Sequence, residues 1–200
     1  IFINSNKVKS GTEFSLLSSE YWRQNKISKK KNIKNVLITF GGCDHFDLSS
    51  KFLNSLKKNV KKKLNIFVII GQFYNNKKKI NSLAKNTHHK VSLILKPLGL
   101  YKYLKKSDLI INAGGTTLIE ACVLKKKSIT VSVWPTQDKL TKNILNTKNY
   151  IIYNNNKKII QKKIDEKIRS IFFKKEFFKY SKNLNGSGCK KIAKWIKDLI

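Results

Sequence analysis

The sequence predicts an α/β domain with a doubly wound parallel sheet, and three features carry that reading. Short apolar runs alternate with amphipathic spans of helical period, the order that buries a parallel sheet between two helical layers. Two of the apolar runs end in a glycine pair that leads into a helix-forming stretch. The longest runs, 66–70 and 109–111, fall far short of the roughly 20 residues that a bilayer crossing needs.

Taken in order, residues 36–40 form an apolar run of strand length that ends in Gly41-Gly42. Residues 47–62 place Leu48, Phe52, Leu53 and Leu56 at helical spacing. A second strand is expected over 64–70, closed by Gly71, then a short helix over 77–86 and a third strand over 91–95. A helical turn at 101–106 precedes a strand at 109–112 and the pair Gly114-Gly115. Helix 117–124, strand 128–133, helix 139–147 and a short strand at 150–153 follow. Residues 157–182 and 189–199 read as lysine-rich amphipathic helices with Ile, Phe and Trp on one face. Right-handed crossovers wind such a chain onto both faces of its sheet.

Ahead of this regular region lie residues 1–26, an apolar strand at 1–3 and a loop at Ser10-Gly11, read as the tail of a preceding domain. A polar, lysine-rich linker is assigned to 27–34, and the principal domain to 35–200. The chain holds no methionine and opens in mid-strand, so it is expected to be a piece of a longer protein.

Composition narrows the function classes. Hydrophobic residues make up 40% and charged residues 27%, which suits a globular core, and 2 prolines with 9 glycines argue against a disordered chain. The 43 basic and 11 acidic residues leave a net charge of +32. Such a balance first suggests a nucleic-acid binder. Yet every basic residue except Arg23 and Arg169 is lysine, whereas phosphate-gripping proteins lean on the two-pronged guanidinium. Lysine, asparagine and isoleucine share A/T-rich codons and are inflated together, so the charge reads as composition and no specific nucleic-acid partner is expected. Cys43, Cys122 and Cys189 lie far apart with no ligand spacing. Neither a disulfide framework nor a metal site is expected, and a reducing cytoplasm fits.

Two strand–glycine–helix junctions carry the chemistry. The first is Thr39-Phe40-Gly41-Gly42-Cys43-Asp44, and the second runs from Ser107 through Asn112, Gly114, Gly115, Thr116 and Thr117 to Glu120. Both fall at carboxyl ends of strands, where doubly wound sheets bind ligands. Glycine lets backbone amides approach an anion, and the helix that follows points its positive end at the same place. Thr116 and Thr117 add hydroxyl donors for a diphosphate, and Glu120, one turn on, suits the two hydroxyls of a ribose. Each feature also has a plain packing explanation: a tight turn, a threonine N-cap, a solvated first-turn carboxylate. Two such junctions in one sheet favour a ligand site. There is no Gly-x-x-x-x-Gly-Lys loop and no full Gly-x-Gly-x-x-Gly, so neither a Walker site nor a nicotinamide cofactor is expected.

The stretch 107–120 resembles the second glycine junction in the carboxyl-terminal domain of nucleotide-sugar enzymes with the glycosyltransferase-B fold. Three further stretches narrow the resemblance: Gly11 to Leu17 with Glu20-Tyr21, Ile38 to Asp44, and Asn185-Gly186-Ser187-Gly188 with Ile192-Ala193. In that order they resemble the UDP-sugar hydrolases of pseudaminic acid biosynthesis and their spore-coat polysaccharide relatives. The resemblance implies a UDP-sugar substrate, with Gly114, Gly115, Thr116 and Thr117 on the diphosphate and Glu120 on the ribose. It further implies Leu98 near the uracil, and Gly41, Gly42 and Asp44 on the sugar side of an interdomain cleft. Gln137 matches a family glutamine, although Pro135 and Thr136 beside it depart from the pattern. Asn112 and Cys43 each stand where a serine is usual; asparagine can still donate a hydrogen bond, whereas a thiol donates poorly. The activity implied is release of UDP from a UDP-linked deoxy-amino sugar, with the general base in an amino-terminal domain beyond this sequence. His45 is read as a loop residue near the cleft, and His88-His89 as an exposed pair. A UDP-sugar-dependent glycosyltransferase sharing the same donor-binding domain is the alternative.

Overall fold

The computed structural model describes residues 8, 11–22, 32–145, 150–153, 157–173 and 184–198. The predicted strand at 1–3, most of the 27–34 linker and the end of the 157–182 helix lie outside them. Among the described residues six parallel strands form one sheet: β1 (Asn35–Thr39), β2 (Asn65–Ile70), β3 (Lys90–Leu95), β4 (Leu109–Ala113), β5 (Lys127–Ser132) and β6 (Tyr150–Ile152). Their spatial order is β3-β2-β1-β4-β5-β6, all pairs parallel. The helices are α1 (Leu48–Asn59), α2 (Lys77–Lys85), α3 (Tyr101–Lys106), α4 (Thr116–Val123), α5 (Pro135–Ile144), α6 (Lys157–Phe173) and α7 (Gly188–Lys197).

The period-two alternation of the central strands divides the core. Val36 and Ile38 of β1, with Leu109 and Ile111 of β4, pack against α1 and α6 on one face. Ile160, Ile164 and Ile168 supply the stripe of α6; burying each contributes about 1.5–3 kcal/mol. Leu37 and Ile110 point to the other face, against Leu104 of α3, Leu118 and Cys122 of α4 and Ile144 of α5. Cys43, Cys122 and Cys189 are thiols that form no disulfide with one another.

Two local expectations are corrected. Helix α5 starts at Pro135 and ends at Ile144, not over 139–147. Pro135 occupies the first helical turn, where its missing N–H costs nothing, and Asp138 adds a favourable charge there. The pair His88-His89 is not exposed as a unit: His89 is buried beneath His88, ring centroids 4.0 Å apart. His88 Nε2 reaches the Val60 carbonyl at 2.9 Å, while both ring nitrogens of His89 are unpartnered.

The 3-10 turns Thr12–Phe14 and Ser19–Tyr21 lie on the α3/α4 side of the sheet, where Leu17 and Tyr21 enter the core. A Cβ on Gly188 would meet the Ser15 carbonyl at 2.2 Å, and one on Gly186 the Tyr21 carbonyl at 2.4 Å. The Cys189 thiol and the Trp22 indole both donate to the Leu17 carbonyl, at 3.2 and 3.0 Å. The stretches 11–21 and 185–189, remote in sequence, thus form one packed unit.

Candidate functional site

Strand order places β1 beside β4, and the chain leaves this pair in opposite directions, to β2 on one side and β5 on the other. That is the topological switch point, where the loops diverge and leave a crevice beyond the strand ends. Both predicted glycine junctions meet there. Thr39 and Asn112 are register partners at the ends of β1 and β4, so the two turns start side by side.

The turn after β1 holds Gly41 in the left-handed region, φ 78°. Gly71, at the end of β2, lets that turn settle: a Cβ there would meet the carbonyls of Gly42 and Gly41 at 2.2 and 2.4 Å. Around Gly41 and Gly42 themselves the space is open. Beside this turn is a cleft of about 240 Å³, lined by Gly42, Asp44, His45, Ala113, Trp134 and Gln137 among others. The Asp44 carboxylate accepts from the backbone N–H groups of Leu48 and Ser49 at 2.8 and 2.9 Å, so it caps α1 as well as facing the cleft. Burial raises its pKa, with the hydrogen bonds from Ser49 and Leu48 opposing.

The second turn separates its glycines by role. A Cβ on Gly114 would lie 2.0 Å from Thr141 Oγ1 and 3.1 Å from the Gln137 carbonyl, so Gly114 lets β4 pack against α5. Gly115 faces open space and is the N-cap of α4, with no side-chain cap bond. Thr116, exposed, is the first helical residue; neither threonine serves as the cap. The Gly115 N–H donates to the Ala113 carbonyl at 2.8 Å, so the first-turn amides without an intrahelical partner begin at Thr116, next to the open space at Gly115.

Glu120 lies one turn further on, half-buried. Burial pushes its carboxyl above the ordinary range, and the Tyr21 hydroxyl beside it pulls partly back. That hydroxyl is itself buried and closes no hydrogen bond. Its proton is held tightly, since burial and the Glu120 charge both raise its pKa.

The remaining predicted residues divide between core, helix and solvent. Asn112 is fully buried, its Oδ1 accepting from Thr130 at 3.4 Å and its Nδ2 unpartnered. Leu98 is fully exposed in the loop between β3 and α3. Gln137 sits in the first turn of α5, where its Oε1 accepts from the Val133 N–H at 3.3 Å. Sequence reasoning passed over Trp134, half-exposed at the cleft with the Phe46 ring 5.9 Å away. In the sequence Tyr21 stands out only as part of the Glu20-Tyr21 motif. A tryptophan directly ahead of a helix-starting proline, at the end of a strand, is the signal that marks Trp134.

A second concavity, about 820 Å³, opens on the opposite face between α1, α2 and α6. Lys58, Lys79, Lys162 and Arg169 line it around the buried Asp165, which accepts from Ser55 at 2.6 Å and Gln161 at 3.0 Å. No cluster of three or more metal-ligating side chains occurs among the described residues. No helix among them is long and apolar enough to cross a membrane.

A Rossmann-like domain with two glycine turns converging on its switch point belongs to the class of α/β nucleotide-binding folds. Within it, the chain belongs to the glycosyltransferase family 28 C-terminal domain, whose family model matches residues 36–196. Solved structures agree on the fold. MurG of Acinetobacter baumannii superposes with a TM-score of 0.56 at 17% identity, over 76% of this chain and 46% of that one. The pneumococcal O-GlcNAc transferase GtfA, in complex with UDP and GlcNAc, gives 0.56 at 14% identity over 82% and 35%. A UDP-GlcNAc 2-epimerase from Neisseria meningitidis, bound to UDP-GlcNAc, gives 0.54 at 17% identity over 84% and 45%. The chain thus spans less than half the length of each of these. No curated protein matches it significantly.

Proposed function

We propose that this chain is the donor-binding half of a UDP-sugar-dependent glycosyltransferase. The observation that carries the proposal is the convergence of the two glycine turns on the uncapped amino terminus of α4, with Glu120 one turn behind. The diphosphate sits on the amides of Thr116 and Thr117, over the open space at Gly115, with the threonine hydroxyls as further donors and Gly114 shaping the turn beneath. Glu120 accepts the ribose hydroxyls. The exposed Leu98 covers the uracil, and the sugar enters the cleft between Gly41-Gly42 and Gln137. When the glycosidic bond breaks, negative charge grows on the departing UDP. The helix terminus and its amides stabilise that charge from fixed positions. The acceptor and its base come from outside the described residues.

A hydrolase of UDP-linked deoxy-amino sugars is the second reading. It is favoured by one observation: the stretches 11–21 and 185–189, which carry that resemblance, pack on each other through Gly186 and Gly188. Family membership weighs toward transfer.

Thermal shift with UDP, NAD and ATP at matched ionic strength tests the common core of both readings. UDP should raise Tm well beyond the other two. Equal stabilisation by ATP would contradict a uridine site and point to the lysine groove. With UDP bound, turnover of a UDP-sugar by the full-length protein with and without an acceptor separates transferase from hydrolase.

A further inference from the structure

Tyr21 brings a buried hydroxyl beside the Glu120 carboxylate, with no other group to bind. The residue is 3% exposed, and its hydroxyl oxygen is without a hydrogen-bond partner. Leaving a buried hydroxyl unsatisfied costs about 1–3 kcal/mol, so a phenylalanine would serve the packing better. Two contacts fix the residue, one on its ring and one on its backbone. Its edge meets the Tyr101 ring, centroids 5.1 Å apart at 86°. Its carbonyl lies against Gly186, which holds φ 74° and admits that carbonyl only because it has no Cβ. The same Gly186 touches Val123 of α4, one helical turn from Glu120 and on the same side of the helix. The turn Ser19–Tyr21 is thereby pinned over the face of α4 that carries Glu120. Among the described residues no lysine or arginine forms an ion pair with that carboxylate.

We propose that Tyr21 is a positioning residue for Glu120: its hydroxyl donates to one carboxylate oxygen and turns the other toward the ribose hydroxyls of the bound nucleotide. The inference rests on the ribose reading of Glu120 given above and adds to it a residue outside the stretch matched by the family. The hydroxyl neighbours the Glu120 carboxylate, and ligand binding supplies the reason to close the hydrogen bond. The hydroxyl also favours the ionised, accepting carboxylate against the effect of burial.

The test is calorimetric affinity for UDP and for its 2′,3′-dideoxyribose analogue, between about pH 5 and about pH 8. Wild type, Glu120→Gln and Tyr21→Phe are compared. Wild type should prefer UDP. Tyr21→Phe should melt at or above wild type, lose about fivefold of that preference near neutral pH and shift the pH midpoint of UDP binding upward, about 1 kcal/mol in all. Affinity for the dideoxy analogue should not change. Incorporation of 3-fluorotyrosine at position 21, a stronger donor of nearly the same shape, should move the midpoint downward, and it serves if Tyr21→Phe does not fold. An unchanged preference and pH midpoint in these variants, with Glu120→Gln still impaired, would overturn the role of Tyr21 alone. A wild-type chain that binds both nucleotides equally would instead remove the ribose reading on which it stands.

Discussion

Replacing Glu120 by glutamine should move stability and affinity in opposite directions. The carboxylate is half-buried, and burial is the largest influence on it, with the Tyr21 hydroxyl only partly offsetting. An acid whose folded pKa lies above its unfolded one binds more protons in the folded state, so stability falls as pH rises through that interval and stays lower above it. A neutral glutamine removes that penalty. The variant should therefore melt above wild type at about pH 8, and the gap should close toward about pH 4. Affinity goes the other way. Two ribose hydroxyls on a carboxylate make charge-assisted hydrogen bonds of about 1.5–3 kcal/mol each, and glutamine retains a single neutral acceptor. UDP binding should weaken at least tenfold, about 1.4 kcal/mol, by calorimetry at neutral pH. Glu166, exposed on α6, is the control: Glu166→Gln should change neither quantity. On a chain of net charge +32, losing a carboxylate should if anything strengthen anion binding slightly, so a loss confined to Glu120 is not a field effect. Small, equal effects at both positions, or a lower melting temperature for Glu120→Gln at high pH, would refute the reasoning.

Gly114→Ala should destabilise the chain by about 1–3 kcal/mol, because the new methyl would press on the buried Thr141 and the α5 backbone. Gly115→Ala should melt like wild type, since the space is open, yet bind UDP more weakly because that space is the proposed diphosphate seat; thermal melts with and without UDP check both. Asp44→Ala should lower stability by about 1 kcal/mol in denaturant titration through loss of the α1 cap. His89 is a base held below its usual pKa by burial, so the folded state binds fewer protons than the unfolded one. Stability should therefore fall as pH drops below about 6.5, and His89→Leu should flatten that part of the profile.

The sheet was legible in the sequence because each central strand is an apolar run of strand length, closed by glycine or a polar turn. Helix bounds were less so. The expected start of α5 at 139 passed over Pro135, whose fixed φ opens the helix, and the predicted Thr117 start of α4 missed that Gly115 is the cap. Both glycine junctions were visible, but the division of labour within them was not. Gly114 and Gly115 look alike in sequence, and only the position of Thr141, 27 residues on, makes one a packing glycine and leaves the other facing open space. The same limit hid Tyr21. Its partner Glu120 is remote in sequence, and no local pattern shows that Gly186 brings them together. His89 differs from His88 only through tertiary packing, which composition does not register.

The central claim is that the uncapped end of α4 and Glu120 together hold UDP. A crystal structure of the chain with UDP tests it most directly. The diphosphate should lie on the amides of Thr116 and Thr117 beside Gly115, and the ribose hydroxyls on the Glu120 carboxylate. UDP seated instead among Lys58, Lys79, Lys162 and Arg169, on the opposite face, would contradict it.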